Sequence, residues 1–133
     1  MIYVLDAGPM IALLKNEAGA DVTEQVLTDP GSACYAHVFN LAEVYYIYYR
    51  SGGFAVAESA LQDLLDAGIV AREDADTAFW KDAATLKASH AMALPDAFCL
   101  ALARRLSGTA VTTDHTEFDP LIPLGLSLIM FIR

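Results

Sequence analysis

Four acidic residues, Asp6, Glu43, Asp96 and Asp114, stand where a carboxylate is structurally awkward and chemically useful. Asp6 ends the apolar run Ile2-Tyr3-Val4-Leu5, and Glu43 interrupts the greasy stretch from Val38 to Tyr49. Asp96 opens the helix-like run Pro95-Asp96-Ala97-Phe98-Cys99-Leu100, and Asp114 follows Ala110-Val111-Thr112-Thr113. Each has a local alternative. Asp6 before Gly8-Pro9 suits a helix cap, Asp96 complements a helix dipole, Glu43 shares a solvated face with Asn40, Ile47 and Arg50, and Asp114 fits a loop. Gathered together, they are costly: two unit charges about 4 Å apart repel by roughly 4 kcal/mol at an effective dielectric near 20. A hard divalent ion removes that cost. Carboxylates without clustered imidazole or thiolate match Mg²⁺, or Mn²⁺, which prefer oxygen donors and keep several waters.

The elements that must position these acids alternate between short apolar strands and longer helical patterns. Strands are expected at Ile2–Leu5, Ser32–Ala36, Ile69–Ala71, Ala110–Thr112 and Leu126–Ile132, where β-branched and aromatic residues concentrate. Between them lie helical patterns: Met10–Leu14 after Pro9, Ala20–Leu27 up to the turn Asp29-Pro30-Gly31, and Leu41–Arg50, apolar around most of its circumference. Ser51-Gly52-Gly53 separates that last helix from Ala55–Ala67, making a helical hairpin. Thr77–Met92 and Pro95–Leu106 follow. The alternation predicts an α/β fold, a three-layer sandwich around a central, mostly parallel five-stranded sheet. In such a sheet the ligand crevice lies beyond the carboxyl ends of the strands. Asp6 and Asp114 each follow a strand directly, which makes the four acids one constellation.

Composition sets the frame. At 133 residues and 56% hydrophobic, the chain fits a single domain spanning residues 1–133 with a substantial core. The longest apolar stretch, Leu124–Ile132, is far short of the roughly 20 residues of a membrane span, and the first residues lack the basic region of a signal peptide. The expectation is a soluble, cytoplasmic protein with no membrane partner. Cys34 and Cys99 suit buried free thiols, and His37, His90 and His115 lack zinc-site spacing. Seventeen acidic against eight basic residues give a net charge of −9. That sign argues mildly against a nucleic-acid partner, unless carboxylates are held by metal or the acidic surface meets a basic protein. Tyr45, Tyr46, Tyr48 and Tyr49 point around a helix, which favours core packing or a protein interface over base stacking.

Four segments, in order, carry a resemblance: Val4-Leu5-Asp6-Ala7; Val38 to Val44 around Glu43; Leu94-Pro95-Asp96-Ala97-Phe98-Cys99-Leu100-Ala101-Leu102-Ala103; and Val111-Thr112-Thr113-Asp114. Across almost the whole chain these resemble the motifs of the PIN-domain nucleases, especially the VapC-like toxins of toxin-antitoxin pairs. The resemblance implies that Asp6, Glu43, Asp96 and Asp114 are catalytic and metal-binding. Asp6 and Asp96 are then direct ligands, with Glu43 and Asp114 binding directly or through water and available to accept a proton. It further implies that Thr112 or Thr113 is the accompanying hydroxyl, that Asn40 orients Glu43 or the substrate, and that Glu117 is an outer ligand. Many relatives have serine or threonine where this chain has Gly8, so one supporting hydroxyl is expected to be missing.

The activity implied is metal-dependent endoribonuclease cleavage of RNA, with Mg²⁺ or Mn²⁺ as cofactor and Lys15, Arg50, Lys87, Arg104 and Arg105 as candidate phosphate contacts. The partners implied are an RNA substrate, a cognate antitoxin protein docking on the helical hairpin, and a second copy in a homodimer. A housekeeping PIN nuclease of RNA processing is the nearest alternative. A receiver-type signalling domain would need adjacent acids after the first strand and a lysine after the last. An aspartyl-nucleophile phosphatase would need an acid at the position of Gly8.

Overall fold

A computed structural model describes all residues from Met1 to Arg133. Five strands, β1 (Ile2–Leu5), β2 (Ala33–His37), β3 (Ile69–Arg72), β4 (Thr109–Thr112) and β5 (Leu128–Phe131), form one sheet in the order β3-β2-β1-β4-β5. Every pairing is parallel, so the sheet is wholly rather than mostly parallel. Parallel neighbours require crossovers, and these are supplied by α1 (Ala7–Lys15), α2 (Ala20–Thr28), α3 (Val38–Gly52), α4 (Phe54–Asp66), α5 (Thr77–His90) and α6 (Leu94–Arg105). A short α7 (His115–Phe118) and a 3-10 helix (Asp119–Leu124) lead into β5.

Alternation along each strand sends successive side chains to opposite faces, and both faces are covered. Val4 and Ala110 join one core with Phe79, Leu86, Phe98 and Leu102 from α5 and α6. Leu5 and Val111 join a second core with Met10, Val26, Leu41, Val44 and Leu64 from α1 to α4. The three-layer arrangement follows. In α6 every residue from Asp96 to Ala103 is buried, and Cys34 and Cys99 are buried free thiols.

The chain works outward from β1 to β2 and β3, then returns to place β4 on the other side of β1. The topological switch point therefore lies between β1 and β4, whose carboxyl ends open onto the same crevice. Asp6 and Asp114 follow these two strands.

The expected elements are all present, with shifted ends. α3 starts at Val38 rather than Leu41 because His37 caps it, its Nδ1 accepting from Phe39 N at 3.1 Å. His37 Nε2 stands 2.8 Å from the Asp74 carbonyl, so one neutral tautomer satisfies both ring nitrogens. Nor is α3 buried around most of its circumference: Asn40, Leu41 and Val44 are its buried residues, whereas Tyr46 and Tyr49 are 49% and 51% exposed. The α3–α4 hairpin turns at Gly53, whose φ of 85° lies in the region that favours glycine. No helix is long and apolar enough to cross a membrane.

Candidate metal centre

Asp6 performs the cap role and more. As N-cap of α1 it accepts from Ala7 N at 2.8 Å through Oδ1. The same oxygen accepts from Asn40 Nδ2 at 3.1 Å, and Oδ2 accepts from the Thr112 hydroxyl at 3.0 Å. Only 4% exposed, the carboxylate is fixed from three directions by α1, α3 and β4. Thr112 also accepts from Asp114 N at 3.0 Å, so one hydroxyl ties the first acid to the fourth. Thr112, not Thr113, is the hydroxyl bonded to the acids.

Asn40 bonds Asp6 rather than Glu43, the partner expected for it. Its amide also donates to the Pro95 carbonyl at 3.1 Å, one residue before Asp96. A single buried amide therefore spaces the turn carrying Asp96 from the turn carrying Asp6, while its own Oδ1 is buried without a partner. Replacing Asn40 with alanine leaves Asp6 one donor short and unties Pro95. The expected loss is about 1–3 kcal/mol in urea unfolding and about 10–100-fold in Mn²⁺ affinity by calorimetry, the range for outer-shell partners of a metal ligand.

Asp96 enters in the first turn of α6, with Pro95 beside it, and is 9% exposed. Its carboxylate oxygen lies within 4.8 Å of those of Asp114 and Glu117. Asp114 caps α7, accepting from Glu117 N at 3.0 Å, which brings positions 114 and 117 to the same rim. The Glu117 carboxylate accepts from Ala93 N at 3.1 and 3.0 Å. The Met92 carbonyl on that same peptide accepts from Lys87 Nζ at 2.9 Å. Glu117, expected as an outer ligand, thus lies with Asp96 and Asp114 in one trio, and Asp6 and Glu43 both stand outside it. Glu43 is half-buried on α3, with Asp6 and Glu117 as the charges that reach it.

The electrostatics are those of carboxyls short of a cation. Burial, then contact with Glu117 and the charges of Asp6 and Glu117, push Asp96 up to about 10. Burial raises Asp6 despite its three donors, and burial followed by the charges of Asp6 and Glu117 raises Glu43. Burial and mutual charge disfavour the ionised forms of all three, a cost that a counter-charge relieves. A hard divalent cation fits: the donors are carboxylate oxygens, and the nearest thiol, Cys99, is buried and held far up its range as the neutral form. Of the basic residues expected to meet phosphate, Arg104 is paired with Asp82 and Arg105 with Asp74 and Asp76. Lys87 is spent on Met92. Lys15, over the Tyr48 ring at 6.0 Å, and Arg50 are free of ion pairs.

Sequence reasoning missed the weight of Glu117, although Asp114-His115-Thr116-Glu117 has the spacing of a capping box.

Comparison with known proteins places the fold. No curated protein matches the chain significantly in sequence. Among solved structures, VapBC2 from Rickettsia felis bound to a DNA fragment from their promoter superposes with a TM-score of 0.76 at 17% identity, covering 98% of each chain. VapBC-1 from nontypeable Haemophilus influenzae gives 0.74 at 17% identity over 99% of this chain and 98% of that one. VapC20 from Mycobacterium tuberculosis, a sarcin-ricin loop cleaving toxin, gives 0.68 at 17% identity over 90% and 95%. At such identities the likeness establishes the fold. The PIN domain model matches residues 3–119 in sequence. A match running from the first strand past the seventh helix, through every segment that delivers an acid to the crevice, shows that the chain belongs to the PIN domain family.

Proposed function

We propose that this PIN domain is a metal-dependent endoribonuclease, the toxin of a toxin-antitoxin pair, with Mg²⁺ or Mn²⁺ at the carboxylates. The observation that carries the reading is the trio Asp96, Asp114 and Glu117, closed within 4.8 Å at the switch point beside a triply bonded Asp6. Asp6, Asp96 and Asp114 hold the ion, joined by Glu117, while Glu43 faces the same crevice from α3. When bound, the ion supplies an activated water and offsets charge on the phosphoryl transition state. The chain's own contribution is orientation. Thr112 and Asn40 hold Asp6, and Asn40 holds the turn of Asp96. Glu43, half-buried with its carboxyl raised, has the exposure and basicity to take up a proton.

With Arg104, Arg105 and Lys87 engaged elsewhere, and Lys15 and Arg50 in the last turns of α1 and α3, away from the crevice onto which those helices begin, phosphate binding at the site falls to the ion. A cognate antitoxin fits the hairpin: between α3 and α4 lies a groove of about 370 Å³ lined by Val38, Leu41, Tyr45, Leu61 and Leu65, and the same two helices expose Tyr46, Tyr49 and Phe54. A net charge of −9 suits a basic segment, and an arginine at the carboxylates competes with metal. Association as a homodimer and a cytoplasmic location belong to the same proposal.

The test incubates structured RNAs with the wild-type protein in Mg²⁺, in Mn²⁺ and in chelator, alongside Asp6→Asn. Cleavage confined to wild type with metal is expected. Equal cleavage in chelator, or by Asp6→Asn, removes the assigned site.

A further inference from the structure

Gly8 occupies the first turn of α1, where a glycine is a poor helix former and costs up to about 1 kcal/mol relative to alanine. Its backbone is ordinary, with no positive φ to demand glycine. The demand is steric. A Cβ at position 8 would overlap the Thr113 hydroxyl and stand 3.2 Å from both Thr113 Cβ and Cγ2. The missing side chain is thus a slot, filled by the Thr113 hydroxyl reaching across from the end of β4.

The two adjacent threonines differ in use. Thr112 donates to Asp6 and accepts from Asp114 N. The Thr113 hydroxyl, half-buried, has no hydrogen-bond partner in the chain. Carried by the residue that precedes Asp114, it sits against the turn that begins at Asp6 and so joins the segments that deliver these two acids. A hydroxyl seated by removal of a side chain, oriented by β-branching and left unbonded has its donor and both lone pairs available to whatever enters.

We propose that Thr113 is an additional ion-site residue, its hydroxyl bonding the ion or a water on it, and that Gly8 exists to admit it. The inference rests on the metal-centre reading above. It also supplies, from the far wall, the hydroxyl that Gly8 itself lacks.

Mn²⁺ affinity, measured by calorimetry without RNA, tests it. Thr113→Val, the same shape without the hydroxyl, should weaken Mn²⁺ by about 10-fold while leaving the metal-free melting temperature nearly unchanged. Gly8→Ala should weaken it similarly by pushing Thr113 off its rotamer, and Gly8→Ala with Thr113→Ala should be no weaker than either alone. Gly8→Ser with Thr113→Ala returns a hydroxyl from the other side and should recover most of the affinity. Wild-type affinity in Thr113→Val overturns the proposal, as does full recovery in Gly8→Ala with Thr113→Ala, which would make the pair a matter of packing. Asp96→Asn is the control for the underlying reading: Mn²⁺ bound as tightly by that variant means the acids are not the site, and both fall.

Discussion

Asp96→Asn should abolish RNA cleavage and, in the metal-free protein, raise the melting temperature. The first effect follows from loss of an anionic ligand at the centre of the trio, a change of about 100-fold or more given that outer-shell partners alone are worth 10–100-fold. The second follows from burial and from the crowding of Asp6, Asp96 and Glu117, which together hold Asp96 up to about 10. At neutral pH the folded chain must keep a proton on this carboxyl, which the unfolded chain releases. Asparagine carries no charge, needs no proton, and can donate to Glu117 as the protonated acid does. Like charges about 4 Å apart at an effective dielectric near 20 set a scale of roughly 4 kcal/mol. Half of that, at a few degrees per kcal/mol for a chain this size, is a rise of about 5–10 °C. Saturating Mg²⁺ should then stabilise wild type alone, by about 2.7 kcal/mol at 100 times its dissociation constant. Paired melting curves in chelator and in Mg²⁺ decide the matter. A variant that melts below wild type in chelator contradicts the crowding.

The metal-free wild type should also gain stability on acidification from pH 9 to about 6.5. Asp6, Asp96 and Glu43 all have raised folded-state values, so above the ordinary carboxylate range the folded chain binds more protons than the unfolded one. Stability then falls as pH rises, up to about 10 for Asp96. His37 acts in the opposite sense lower down. Burial lowers its value, and protonation would displace Phe39 N from Nδ1, so its contribution is whole above about pH 6.5 and is lost as pH falls below that. Asp74 and Asp76, held near 2 by Arg72 and Arg105, add stability that disappears only in stronger acid. The melting temperature in chelator should therefore climb from pH 9 to 6.5 and then level off or decline. In Mg²⁺ the slope above 6.5 should vanish, because the ion takes the place of the protons. A flat profile in chelator across that range would show that the carboxyls are not raised.

The strands were legible because burial on both faces leaves uninterrupted apolar runs, and Asp6 and Asp114 could be placed at their ends for the same reason. Helix boundaries were less so. α3 begins three residues early because the ring of His37 caps it, a role that histidine does not advertise in sequence. The apolar circumference of α3 looked like burial, yet Tyr46 and Tyr49 face outward. Hydrophobic periodicity does not distinguish a core face from an exposed aromatic one. α7 escaped notice because four residues carry no period, and with it went the rank of Glu117, which the Asp114 cap swings toward Asp96. Asn40 was identifiable as a polar residue in an apolar helix, but its partners, Asp6 and Pro95, lie 34 and 55 positions away. Such distances in sequence leave no local trace.

The hydrogen bond from Thr112 to Asp6 closes a gap of 106 positions, and this bears on how the protein is made. Synthesis delivers β1 first and β4 near the end, so the nascent chain exposes Asp6 beside a strand that still lacks its inner neighbour. Until Thr112 arrives, Asp6 is without its Oδ2 donor, and Asp114 and Glu117 do not yet exist. Contacts of such long range form late and slowly. Incomplete translation products that stop before Thr109 therefore contain two of the four principal acids facing an unfinished crevice, together with Asp96 if they extend that far. On the proposed function such fragments lack Thr112, Asp114 and Glu117 and should not cut RNA, so premature release at the ribosome should yield an inert fragment.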